Sequence, residues 1–99
     1  MQKIEGNSSL SGLWYFIEDC KKYRVYEEGD GTVYQRKHPD KHGVILLAFH
    51  VQEDVAYSMD IRIGTVTVTI GSNDVDHVLL DGEDAVIYLK NSGVTINLN

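Results

Sequence analysis

Val55-Ala56-Tyr57-Ser58-Met59-Asp60-Ile61-Arg62-Ile63-Gly64-Thr65-Val66-Thr67-Val68-Thr69-Ile70 is the stretch on which the fold class turns. Val55, Tyr57, Met59, Ile61 and Ile63 alternate with Ala56, Ser58, Asp60 and Arg62, and after Gly64 the residues Val66, Val68 and Ile70 alternate with three threonines. A period of two places one set against a core and leaves the other in water. A link as short as Gly64 cannot carry a parallel crossover, so the two runs pair antiparallel. The same grammar extends outward. Val44 to Val51 is apolar on both faces and reads as a central strand. His77 to Leu80, Ala85 to Lys90 and Val94 to Leu98 follow, joined by Asp81-Gly82-Glu83 and Asn91-Ser92-Gly93. Toward the N-terminus, Gly29-Asp30-Gly31 is a tight turn between Tyr23 to Glu28 and Thr32 to Lys37, which predicts a hairpin. His38 to Gly43, around the only proline, reads as a loop.

The first 22 residues are less uniform. Met1 to Ser9, with Gly6-Asn7-Ser8-Ser9, reads as a flexible lead-in. Leu13 to Glu18 is a run of aromatic and branched residues after Gly12, and we expect a strand there. The alternative is a helix over about residues 9–22, because Leu10, Leu13, Trp14, Ile17 and Cys20 recur at spacings of three and four. The expected fold is therefore one domain over residues 1–99, mainly β, an antiparallel meander that closes into a small barrel or packs as a two-layer sheet. The alternative is α+β, with the N-terminal helix packed on an antiparallel sheet.

Composition narrows the function classes. At 42% hydrophobic and 24% charged residues the chain suits an ordinary globular domain. Its longest apolar run, Val44 to Phe49, is six residues, far short of a membrane span. No basic-then-apolar leader is visible at the start, and the single Cys20 excludes an intramolecular disulfide; both lead us to expect a cytoplasmic protein. Residues 1–43 carry seven basic and seven acidic side chains, whereas residues 44–99 carry only Arg62 and Lys90 against eight carboxylates, so the net charge of −6 belongs to the β-rich half. A field of that sign repels nucleic acid and attracts a basic protein surface. The sequence leaves the oligomeric state open.

Three constellations could carry chemistry. Asp74, Asp76, Asp81, Glu83 and Asp84 crowd two turns and form the expected contact for a basic partner. Their spacing does not match a calcium-binding loop, and acidic turns also protect strand edges. His38, Asp40 and His42 combine imidazole and carboxylate in one loop and are the candidate metal ligands, against the plainer view of a solvated loop. Lys21, Lys22, Arg24, Arg36, Lys37 and Lys41 interleave with Tyr23, Tyr26 and Tyr34, as in single-strand nucleic-acid binders, but nearby carboxylates cancel the charge and cross-strand ion pairs explain the mixture. No nucleophile elbow or phosphate-binding glycine loop is present, so no catalytic residue and no cofactor is assigned.

Leu10-Ser11-Gly12-Leu13-Trp14-Tyr15, followed by Tyr23-Arg24-Val25-Tyr26 and Gly29-Asp30-Gly31-Thr32-Val33-Tyr34, resembles the Gly-x-Trp first strand and early hairpin of lipocalin-like barrels. The resemblance covers about a quarter of the chain. It implies a barrel for small apolar molecules with Gly12 and Trp14 closing its floor. Together these features lead us to expect a small non-enzymatic binding protein, an inhibitor, immunity or regulatory factor that meets a basic partner through its acidic half. A ligand-binding barrel is the second expectation and a metal-dependent enzyme built on the His/Asp loop the third.

Overall fold

The computed structural model of the chain describes residues 1–29, 31–38 and 43–99. Among them, two antiparallel sheets enclose a single α-helix. Strand β1 (Gln2–Glu5) leads through a 3-10 turn (Gly6–Ser8) into helix α1 (Ser9–Asp19). Strands β2 (Tyr23–Glu28), β3 (Gly31–Arg36), β4 (Ile45–Gln52), β5 (Val55–Ile63) and β6 (Val66–Gly71) then form the first sheet in chain order. A second 3-10 turn (Ser72–Asp74) carries the chain into β7 (Val75–Asp81), β8 (Asp84–Leu89) and β9 (Thr95–Asn97), which with β1 make the second sheet in the order β1-β7-β8-β9.

The antiparallel, mainly β, two-layer architecture matches the alternation in the sequence. Closure into a barrel does not occur. The chain leaves the first sheet after β6 and enters the second, so β2 and β6 stay on opposite edges and the helix occupies the space between the layers. Gln2–Glu5, expected to belong to a flexible lead-in, pair along β7 from Gln2 opposite Leu80 to Glu5 opposite His77. Leu13 to Glu18, expected as a strand, belongs to α1. Leu10, Leu13 and Ile17 recur at helical spacing, and each meets a core built from both sheets, which a strand in that place could not reach with all three.

Local chemistry fixes where the helix starts and stops. Gly6 turns the chain at φ +80, a conformation that favours glycine. The buried Ser9 hydroxyl donates to the carbonyls of Gly6 (2.7 Å) and Ile4 (3.1 Å), tying β1 to the first helical turn. Gly12 permits a close approach, since a Cβ there would lie 2.5 Å from Cδ1 of Ile4. It therefore seats β1 against α1 rather than closing the floor of a barrel, and Trp14 stands on the same helix. At the far end Cys20 is extended (φ −78, ψ 128) and its N–H donates to Ile17.

The core joins α1 to both layers. Leu10, Leu13 and Ile17 meet Leu47, Met59 and Ile61 of the first sheet and Val75, Val78 and Ile87 of the second, all of them buried. One departure from strict alternation matters here. Val51 pairs with Ala56 but His50 pairs with Ser58, leaving Tyr57 as the extra residue of a β-bulge. The bulge turns Ala56 into the core and Val55 and Tyr57 out, so the expected single apolar face of Val55, Tyr57, Met59, Ile61 and Ile63 is split. β6 stops opposite Ser58, and beyond it the Ala56 N–H donates to Oγ of Ser11 on the helix (3.0 Å).

A helix and a strand separate sharply in one comparison. Leu13 and Tyr15 would share a face in a strand, whereas α1 buries Leu13 completely and leaves Tyr15 53% exposed. We predict that Leu13→Ala lowers unfolding free energy by about 3 kcal/mol. Tyr15→Ala should cost under about 1 kcal/mol. Urea denaturation of the two variants measures both, and equal losses would refute the helix.

Candidate functional site

The best-formed concavity lies between α1 and the helix-facing side of the first sheet. Trp14 and Glu18, four residues apart and hence on one helical face, form one wall. Val25 of β2, Thr32 and Tyr34 of β3, and Phe49 and Val51 of β4 form the other. The register explains the convergence: Val25 lies opposite Tyr34, and Tyr34 opposite Leu47, so these side chains share the inner face. The groove encloses about 470 Å³. Val25 (52% exposed) and Val51 (38%) present apolar surface at its rim, beside Tyr15, which stacks on Trp14 with ring centroids 5.1 Å apart.

One hydrogen-bonded chain organises the polar groups. The Trp14 indole N–H donates to the Tyr34 hydroxyl (3.0 Å), and that hydroxyl donates to Oε1 of Glu18 (2.9 Å). Tyr34 is buried and packs edge-on against Phe49, so its ring is held from two sides. Burial pushes its phenol up to about 12; the Trp14 donor opposes that shift and the Glu18 carboxylate adds to it. Tyr34 therefore stays a donor and fixes one oxygen of Glu18 at the groove mouth. No lysine or arginine lines the groove among the described residues, and Glu27 stands beside it, accepting from the Thr32 hydroxyl at 3.2 Å.

The acidic turn residues occupy other places. They sit at opposite ends of β7, and four of the five have partners within the chain. Glu83 accepts the backbone N–H groups of Lys21 (3.0 Å) and Lys22 (3.1 Å), and Asp84 pairs with Nζ of Lys22 (2.9 Å), so the β7–β8 turn clamps the segment leaving α1. Asp74 accepts the Gly71 N–H (2.9 Å), and Asp76 bonds Nδ1 of His77 (2.7 Å), whose ring stacks on Tyr88. Asp81 alone has no side-chain partner among the described residues. Of the expected metal ligands, Asp40 and His42 lie outside the described residues and His38 is exposed; no cluster of three metal-ligating side chains occurs among those described. The expected cross-strand ion pairs do not form between β2 and β3 among the described residues: Lys22 reaches Asp84 (2.9 Å), Arg36 donates to the Asn99 carbonyl (2.9 Å), and the hairpin's Glu28 pairs with Arg62 of β5 (3.2 Å).

A second polar cluster lies on the outer face of the first sheet. Asp60 accepts from the Thr69 hydroxyl (2.7 Å) and contacts Nε2 of His50 (3.0 Å). Burial raises the Asp60 carboxyl, but the bonds from Thr69 and His50 and the nearby charges of His50 and Arg62 outweigh it and hold it below its ordinary value. Cys20 is buried near the Glu83 carbonyl, and burial first, then Glu83, pushes its thiol up. It behaves as a small hydrophobe.

Compared with known proteins, the chain has no significant match to a family model, a curated protein or a solved structure.

Two pH dependences follow from the shifted groups. Tyr23, raised to about 12 by burial, and Tyr34 both bind protons more tightly folded than unfolded, so their stability contribution is complete below about pH 10 and lost as pH rises toward about 12. Denaturant titrations of Tyr34→Phe should show a smaller alkaline loss than the wild type; identical losses would contradict it. Asp60 has the opposite sign: its contribution is present above its unfolded value near 3.8 and lost as pH falls below it. Asp60→Asn should flatten the acid limb of the same stability curve.

Proposed function

We propose that this is a small binding protein whose helix–sheet groove takes a basic side chain from the surface of a partner protein. The observation that carries this is the Glu18 carboxylate, fixed by Tyr34 at the mouth of an aromatic groove with no cationic lining residue among those described. A lysine or arginine entering there would set its charge against Glu18 and its stem against Val25 and Val51. The face of Trp14 that Tyr15 leaves uncovered adds attraction for the cation, about 0.5–2 kcal/mol in a partly desolvated setting. The acidic half contributes the long-range field that draws a basic surface in, which raises encounter rates more than final affinity. On this view Trp14 and Glu18 are the contact residues and the buried Tyr34 positions Glu18, while Asp74, Glu83 and Asp84 secure turns and the segment after α1, and Asp76 pairs with its neighbour His77. An inhibitor, immunity or regulatory role fits such a protein.

Trp14 is the only tryptophan in the chain, so its fluorescence reports directly on the groove. We predict that a lysine- and arginine-rich peptide perturbs Trp14 emission saturably, while a glutamate-rich peptide of equal length does not. Glu18→Gln keeps an acceptor for Tyr34 but removes the charge, and should weaken the basic peptide about tenfold, the equivalent of about 1.4 kcal/mol. An unchanged affinity in Glu18→Gln would place the contact elsewhere.

A further inference from the structure

The four strands at sheet edges are not equally protected. β1 carries the exposed Lys3–Glu5 ion pair (3.0 Å), β9 is only three residues long, and β2 carries Arg24, Glu27 and Glu28. Charges and short length are the usual devices that stop an edge from pairing with another chain. β6 has none of them. Its residues Val66-Thr67-Val68-Thr69-Ile70 include no charge and no proline, its register against β5 is uninterrupted, and Val66 to Thr69 are all exposed. Among the described residues no strand pairs with its other side. An open cleft of about 490 Å³ separates Val68 to Ile70 from the turn at Leu89 to Ser92, so the second sheet does not cap this edge.

We propose that β6 is a self-association edge, pairing antiparallel with β6 of a second copy about a two-fold axis at Val68. The backbone parity allows it. Gly64 and Thr65 form a two-residue turn, so the flanking pair Ile63–Val66 is hydrogen-bonded, and alternation gives Val66, Val68 and Ile70 to β5. Thr67 and Thr69 are left with outward N–H and C=O groups. The Gly71 N–H, next in that outward series, indeed bonds Asp74 rather than β5. Around an axis at Val68, Thr67 of each copy exchanges both backbone hydrogen bonds with Thr69 of the other. Val68 then meets its own equivalent and Val66 meets Ile70. Threonines face threonines on one side of the joined sheet and apolar residues face each other on the opposite side, so like meets like throughout. This self-complementarity, together with the absence of charge on β6 in a chain of net −6, selects a second copy over an unrelated strand.

Thr67→Pro tests the edge, because it deletes an outward N–H while leaving the β5–β6 bonds intact. Thr67→Lys adds the missing protective charge without a backbone change. Sedimentation equilibrium of the wild-type chain at high micromolar concentration should give a dimer. Both variants should raise its dissociation constant at least about tenfold with unchanged far-ultraviolet circular dichroism. Val68→Cys should form a disulfide-linked dimer on mild oxidation, since the two cysteines would face each other in a non-hydrogen-bonded pair. A monomeric wild type at that concentration would overturn the proposal. So would a dimer that survives both Thr67 substitutions, which would locate the interface on another surface.

Discussion

Everything in this fold depends on one helix having two sheets to pack against. Leu10, Leu13 and Ile17 are fully buried, and their neighbours come from both layers, so neither sheet has a complete core without α1. The helix spans three turns and would not hold its shape in water unaided, because helices so short gain their stability from tertiary burial. Dependence therefore runs both ways. The sheets shape the helix, and the helix keeps the layers from closing on each other. Two polar ties secure its ends: Ser9 binds the turn after β1, and Glu83 receives the first two amides beyond Cys20.

The groove is a by-product of the same geometry. A helix lying on a twisted sheet covers its centre better than its edge, and the uncovered strip on this side is the inner face of β2, β3 and β4. Trp14 and Glu18 overhang that strip while Leu13 and Ile17 point into the core, a division that follows from helical spacing. The chain from Trp14 through Tyr34 to Glu18 then converts a gap into a polarised site, with every donor and acceptor direction set. Glu83 and Asp84 show the contrasting case. They look as acidic in sequence as any binding patch, yet their charge is used inside the fold.

How much was legible in the sequence varied with how local the cause was. The alternation in Val66 to Ile70 and the turn residues between later strands fixed strand type and antiparallel pairing, because period and loop length act locally. The bulge at Tyr57 left no mark, since an extra residue inside an unbroken run of β-formers looks like one more strand position. Residues 13–18 were ambiguous because aromatics favour strands locally while burial on two sides, a tertiary fact, rewards the helix. β1 was invisible: Gln2–Glu5 has little apolar character and pairs with a strand more than 70 residues later. The site was harder still. Trp14 and Glu18 share a face only once the helix is known, and nothing near Tyr34 in sequence announces its two partners. The acidic turns stood out instead because charge is read directly from composition, whereas its internal pairing with Lys22 and two amides is not.

If α1 is the element on which both layers rest, it cannot open alone. Native-state hydrogen exchange in low denaturant measures this most directly, because it assigns an opening free energy to each amide. The account predicts that the amides of Leu13 to Ile17 exchange through the same global opening as the central strands β4, β5 and β7, with one free energy and one denaturant dependence. Exchange of the helix at a distinctly lower free energy, with both sheets still protected, would contradict it.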